Sequence, residues 1–123
     1  MTDKVSSYKD LKVWLKGMEI VDETYKLIKD FPKEEIYALA SQIRRSAVSI
    51  PSNIAEGWGR DSSLSYKQFL RISRGSLFEL ETQLEIAKRQ GMISETAINK
   101  IEGLITEESK MLTAFINSIK DKK

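Results

Sequence analysis

Residues 44–60, RRSAVSIPSNIAEGWGR, bring serines, an asparagine, a carboxylate and three arginines into one short stretch. Asn53 and Glu56 lie within about one helical turn of Pro51, so they could line a polar site. They could equally satisfy backbone groups left over at the proline and at a helix end, the usual fate of polar groups near a core. A single carboxylate gives little acid–base chemistry without a partner. The chain has no His and no Cys. That removes the Ser-His-Asp triad, thiol catalysis, zinc fingers and the Glu-x-x-His di-iron motif. Gly57 and Gly59 in WGRDSS belong to no G-x-x-x-x-G-K-[ST] phosphate loop. No metal ligand set, cofactor site or catalytic residue is expected, and the chain reads as a non-enzyme.

The cations carry a second chemistry. All six arginines fall between positions 44 and 89. The window 44–74 holds Arg44, Arg45, Arg60, Lys67, Arg71 and Arg74 against Glu56 and Asp61, a local +4 in a chain whose net charge is +2. Lys67, Arg71 and Arg74 recur at four and three residues and therefore share one helix face. Guanidinium groups suit phosphate through their fork of donors, which makes these six the candidate nucleic-acid contacts. The competing reading pairs them with Glu79, Glu81 or Glu85 on neighbouring helices or subunits, since Arg is enriched in interfaces.

Helices must position these groups. Six Gly and two Pro leave few breakers, and the breaks in the apolar pattern fall at Phe31-Pro32, Gly57–Ser63 and Gly91–Ser94. The resulting segments predict helices over 8–30, 33–58, 63–90 and 95–120. Each has apolar residues at alternating three and four spacing. The seams are Leu11, Trp14, Met18, Val21, Tyr25 and Ile28; Ile36, Leu39, Ile43, Ala47, Ile50, Ile54 and Trp58; Tyr66, Leu70, Ser73, Leu77, Leu80, Leu84 and Ala87; and Ile98, Ile101, Ile105, Leu112, Phe115 and Ile119. Glu108 interrupts the last seam and is expected at a looser contact or facing solvent. Ser7 with Asp10 reads as a capping box, Asp61-Ser62-Ser63 and Ser94 as caps, and Gly91 as the residue just past a helix end. Lys120, Lys122 and Lys123 suit the negative end of the last helix.

The period runs through Pro51 without a phase break, which predicts one helix kinked there rather than two. The fold class is all-α, a single domain forming an antiparallel up-down-up-down four-helix bundle. Small residues around Pro51 predict a close helix crossing, with Arg74-Gly75-Ser76 facing it and serine hydroxyls bonding to carbonyls freed by the proline. Pro51, Asn53, Glu56, Gly57, Gly75 and Ser76 form the structural motif. The opening residues lack an apolar core of signal-peptide length, and no run spans a bilayer, so no membrane partner and a cytoplasmic location are expected.

The string SQIRRSAVSIPSNIAEGWGR, with RISRGSLFELETQLE after it and YKDLKVW and DFPKEE before it, resembles the bacterial four-helix-bundle family of 23S rRNA-intervening sequence proteins. The resemblance runs from Tyr8 to Ile119. The family's relatives include accessory proteins of the reverse transcriptases of diversity-generating retroelements. The resemblance implies a homopentamer. For some members it implies RNA or DNA binding, or a reverse transcriptase or other nucleoprotein partner. Arg44, Arg45, Arg60, Arg71 and Arg74 match basic positions of the motif region, with no established binding residues to carry over.

Overall fold

The computed structural model describes residues 5–120. Four helices, α1 (Lys12–Ile28), α2 (Leu39–Trp58), α3 (Ser63–Arg89) and α4 (Glu95–Ser118), make up the domain, with no strand among the described residues. Each helix packs on two others in the cycle α1–α2–α3–α4, and the diagonal pairs do not meet. Neighbours run antiparallel. Lys16 pairs with Glu107 at 2.6 Å and Glu23 with Lys100 at 3.0 Å across α1 and α4. Ser46 lies beside Gln83, and Ser49 beside Ser76, across α2 and α3. The connections are short, as an up-down-up-down bundle requires.

The caps fall where side-chain chemistry places them. Ser62 Oγ accepts from the Ser65 amide and Ser94 Oγ from the Ala97 amide, both at 3.1 Å. Gly91 has φ +77°, and the Met92 amide donates to the Ala87 carbonyl while the Gly91 amide donates to that of Lys88. This is the double-bonded helix end that favours glycine.

Two helix starts differ from the sequence expectation. The Ser7–Asp10 capping box is present, but it closes a single 3-10 turn over Tyr8–Asp10. Leu11 is then extended, so α1 begins at Lys12, and it ends at Ile28. Residues 33–38 are a 3-10 turn followed by turn residues, because the Ala38 backbone (φ −116°, ψ −108°) leaves the helical region. The Glu35 carboxylate accepts from the Leu39 amide at 3.2 Å and opens α2 there. Lys122 and Lys123 lie outside the described residues.

The α2, α3 and α4 seams enter the core largely as their spacing predicts, although Ile36 precedes α2 and is exposed. The α1 seam does so only at its ends, where Leu11 and Ile28 are buried. Val13, Gly17, Ile20, Thr24 and Ile28 face inward, while Met18 and Tyr25 are exposed and Trp14 and Val21 half-buried. The reason is steric. Gly17 lets α1 approach Ile50 and Pro51, and a Cβ there would sit 3.3 Å from the Ile50 methyl. That approach rotates the bulky seam to one side.

Glu108 also departs from expectation. It is 0% exposed, continuing the seam between Ile105 and Leu112, and neither carboxylate oxygen has a hydrogen-bond partner. Gly17 leaves the space: Oε2 lies 3.3 Å from where a Gly17 Cβ would stand. Lys16, the charged group facing it, is engaged by neighbouring Glu107. Burial pushes the Glu108 carboxyl up to about 8, against weaker opposition from Lys16.

A folded-state value above the unfolded one means the acid form is preferred in the bundle. Its stabilising effect is complete below the unfolded value and is lost as pH rises toward 8. Each unit of the interval is worth about 1.4 kcal/mol. The thermal midpoint of the protein should therefore fall between pH 5 and pH 8. Glu108→Gln should flatten that slope, and equal slopes in calorimetry would place the pH dependence elsewhere.

Candidate functional site

The motif around Pro51 is built for close packing. α2 runs unbroken from Leu39 to Trp58 through the proline. A Cβ on Gly57 would stand 2.9 Å from the Phe69 Cβ and 3.0 Å from the Tyr66 ring, so only glycine fits at that crossing. Ser49 and Ser76 hydroxyls lie 2.8 Å apart. Ser73 Oγ donates to the Ile50 carbonyl at 2.8 Å, fully buried between α2 and α3. Asn53 Nδ2 donates to the Ser49 carbonyl at 2.8 Å and is as close to Ser49 Oγ.

These bonds tie the Asn53 side chain back to α2 one turn earlier. They also correct the expected acceptors. Pro51 removes the amide that would bond the Ala47 carbonyl, yet the polar side chains converge on the carbonyls of Ser49 and Ile50. Ser46 does not bond back along its helix; its hydroxyl points across to α3, 2.8 Å from Glu79 Oε1 and 2.9 Å from Gln83 Oε1. Glu56 is exposed and pairs with Arg60 at 3.0 Å. Gly75 is not in the crossing, because a Cβ there would meet nothing within 4 Å. Ser73, one position outside the predicted triplet, takes that role. Tyr66 stacks edge-on against Phe115 at 5.7 Å, and its buried hydroxyl has no partner. Burial raises the Tyr66 hydroxyl to about 12.

The six cations do not make one patch. Arg44 and Arg45 stand with Tyr25 and Val48 at the α1–α2 groove, and Arg44 donates to the Ile36 carbonyl at 3.1 Å. Arg60 sits after α2, over the Phe69 ring at 4.7 Å. Lys67, Arg71 and Arg74 follow one stripe of α3, and Arg74 reaches Thr113 of α4 at 3.1 Å. In a bundle with this cyclic order, the α1–α2 and α3–α4 grooves lie on opposite sides. Further along α3, that stripe carries Glu81 and Glu85, which with Arg89 and with Glu102 of α4 line a hollow of about 530 Å³. Glu85 is held below the usual carboxylate range by Arg89 and then Lys88.

The feature that sequence reasoning missed is the α1–α2 groove. Tyr8, Trp14, Met18, Val21, Val48, Pro51, Ser52 and Ala55 surround a volume of about 340 Å³ on the outer surface. Its signal in the sequence is the α1 seam, whose spacing marks an apolar face without saying what covers it. Among the described residues no group of three His, Cys, Asp or Glu could hold a metal ion, and no helix is long and apolar enough to cross a membrane.

The model of the 23S rRNA-intervening sequence proteins matches residues 9–114. The chain belongs to that family. A solved structure from Bacteroides thetaiotaomicron VPI-5482, a protein with unknown function from the S23 ribosomal protein family, is 28% identical. The match covers 86% of this chain and 96% of that one, with a TM-score of 0.79. No curated protein matches the chain. The family's central string thus maps onto the α2–α3 crossing, where its glycine and serines have packing roles.

The two motif glycines should separate on mutation. Gly57→Ala should destabilise the family member by about 1–3 kcal/mol through overpacking. Gly75→Ala should stabilise it by about 0.5–1 kcal/mol, since an open helix position gains only from lower unfolded-state freedom. Urea denaturation of both variants checks this, and equal effects would contradict the crossing.

Proposed function

We propose that this chain is a non-enzymatic, self-assembling bundle that acts through its surfaces. The observation that carries this reading is the set of large apolar side chains left outside the core on α1, α2 and α3. Met18 is 37% exposed, Tyr25 43%, Val48 41% and Phe78 46%, although each sits at regular helical spacing. Exposed apolar rows of this kind mark interaction sites. Five copies is the assembly the family resemblance implies. The alternative role for Arg44 and Arg45, inside subunit contacts, is supported by their place at the rim of the apolar groove.

A second reading concerns Lys67, Arg71 and Arg74 as a contact for RNA or DNA, or for a nucleoprotein such as a reverse transcriptase. It is favoured by Arg71, which is exposed and has no ion pair among the described residues. In an assembly the stripe is repeated in every copy, so weak single contacts add by avidity. Non-catalytic action is supported by the interior. The one strongly shifted carboxylate among the described residues, Glu108, is sealed from solvent.

Light scattering after size exclusion should give a mass of several chains; a monomer at micromolar concentration would sink self-assembly. Mobility shift with RNA and duplex DNA should show binding that weakens with salt, log K falling at about −0.9Z for duplex or −0.7Z for single strands. Arg71→Glu with Arg74→Glu should abolish the shift while leaving the assembled mass unchanged. No shift at low salt removes the nucleic-acid reading, and loss of the assembly by the double variant moves these arginines into subunit contacts.

A further inference from the structure

We propose that Glu108 is a proton latch on α1: in its acid form the carboxyl lets α1 close on α4 and α2, and loss of the proton drives a local opening of α1. The latch lies within one chain, so it stands apart from what the outer surfaces bind.

Gly17 is the meeting point of three helices. Its missing side chain brings α1 up to Glu108 of α4 and to Ile50 and Pro51 of α2. A Cβ there would stand 3.3 Å from Glu108 Oε2, 3.3 Å from the Ile50 methyl and 3.5 Å from the Pro51 Cβ. A carboxyl packed at such a point is tolerated while it is neutral. Glu108 is 0% exposed, and no donor among the described residues reaches either oxygen. Once ionised in that position it meets neither solvent nor a hydrogen-bond donor, a costly state for a buried charge.

The charges around it are engaged elsewhere or turned outward. On α1, the Lys16 ammonium is drawn to Glu107 at 2.6 Å and to Glu19 at 3.9 Å. On α2, the nearest ionisable residues are Arg45 and Glu56, five positions before Ile50 and five after Pro51, and both are exposed. On α3, Ser73 marks the same level through its bond to the Ile50 carbonyl. Arg71 beside it is exposed, and Arg74 reaches out to Thr113. On α4 itself, Glu107 and Lys110 are exposed. The buried Tyr66 hydroxyl belongs to a ring stacked on Phe115, seven residues further along α4. Lys16 is the cation that acts on Glu108, and it offsets only part of the burial, leaving the carboxyl at about 8.

Relief requires α1 to move. Lys16 and Gly17 are adjacent, so a displacement that turns the ammonium from Glu107 toward Glu108 also lifts Gly17 off Ile50 and Pro51. Trp14, Met18 and Val21 ride on the same helix and form one wall of the outer groove, with Pro51 on the other. The contact between α2 and α3 at this level carries no ionisable group. It is held by Ser73 on the Ile50 carbonyl and Ser49 against Ser76, and it stays packed.

Linkage gives the direction. With α1 closed, the carboxyl gives up its proton at about 8; with α1 open to solvent, it does so near the ordinary 4.5. The ratio of open to closed α1 therefore rises about tenfold for each pH unit between those values and levels off above the higher one. Global unfolding has the same slope, so the latch is distinguished by where the chain opens and how much surface it exposes.

Hydrogen exchange on the whole chain, resolved by helix and corrected for the intrinsic pH dependence of exchange, tests this. Amides of α1 around Gly17 should exchange through a local opening, faster than α3 amides around Leu77 and nearly insensitive to low urea. Their protection should fall about tenfold per pH unit from pH 5 to 7.5. Glu108→Gln should flatten that fall. Glu108→Leu serves as the second variant: should the amide of Gln itself loosen α1, protection is lower in one variant but flat with pH in both.

If α1 and α3 exchange together, with equal rates and equal urea dependence at every pH, Glu108 tunes global stability only and the latch is overturned. A slope that survives in both variants overturns it as well. Exchange in α1 that quickens on dilution would trace the opening to dissociation between copies, which also removes the latch and leaves self-assembly standing. A monomeric wild type with the α1 slope intact does the opposite.

Discussion

The close approach of α2 to α3 sets the geometry of the rest of the bundle. Helices whose contact faces carry Ser46, Ser49, Gly57, Ser73 and Ser76 can lie nearer than helices faced with leucines. The polar atoms brought in by the serines must then be satisfied where water does not reach. The Ser73–Ile50 and Asn53–Ser49 bonds do so, using carbonyls adjacent to the proline. A neutral hydrogen bond of this type stabilises by about 1 kcal/mol net, but an orphaned buried group would cost about 1–3 kcal/mol. Satisfaction of these groups, more than the strength of each bond, makes the polar crossing tolerable. The family motif is therefore first a packing device.

Much of this was legible in the sequence because helix periodicity and caps are local. Ser62, Ser94 and Gly91 act where their types predict, and the α3 and α4 seams need no outside information. The α1 seam is legible as a pattern but not as a location. Periodicity reports that a face is apolar, but it does not say whether the chain itself or another molecule covers it. Gly17 and Thr24 fall outside that apolar spacing, yet they line the inner face, with Thr24 Oγ1 returning to the Ile20 carbonyl at 2.7 Å. The start of α2 was hidden for a related reason. Ala38 has no unusual side chain, and its non-helical backbone follows from how the turn at residues 33–38 joins two antiparallel helices.

The arginines show the limit of a window of sequence charge. The excess over 44–74 is real, but the window crosses an antiparallel turn, so its two ends return on different sides of the bundle. Only i, i+4, i+7 spacing within α3 survives folding as a shared face. There, Arg74 is tethered to Thr113, while Arg44 is tethered to the Ile36 carbonyl on the other side. Grouping by helix face divides the six cations into a rim beside an apolar groove, a cation stacked on Phe69, and a stripe along α3. Each surrounding favours a different kind of contact, and no single ligand surface holds them all.

Glu108 has one property that usually marks a reaction centre, a carboxyl raised far into the neutral range. Its surroundings lack the others. A general acid must reach the atom it protonates, directly or through one water. Glu108 lies against Gly17, with 0% exposure and no hydrogen-bond partner for its carboxylate. The same burial that raises the carboxyl also isolates it. Removing one side chain, at Gly17, makes the space that the carboxyl occupies, so the two residues act as a matched pair in the packing of α1 on α4. The shift is then a consequence of fold and a source of pH-dependent stability. What solvent reaches lies on the outside, in the part-exposed middle of the α1 seam and the charges that flank it.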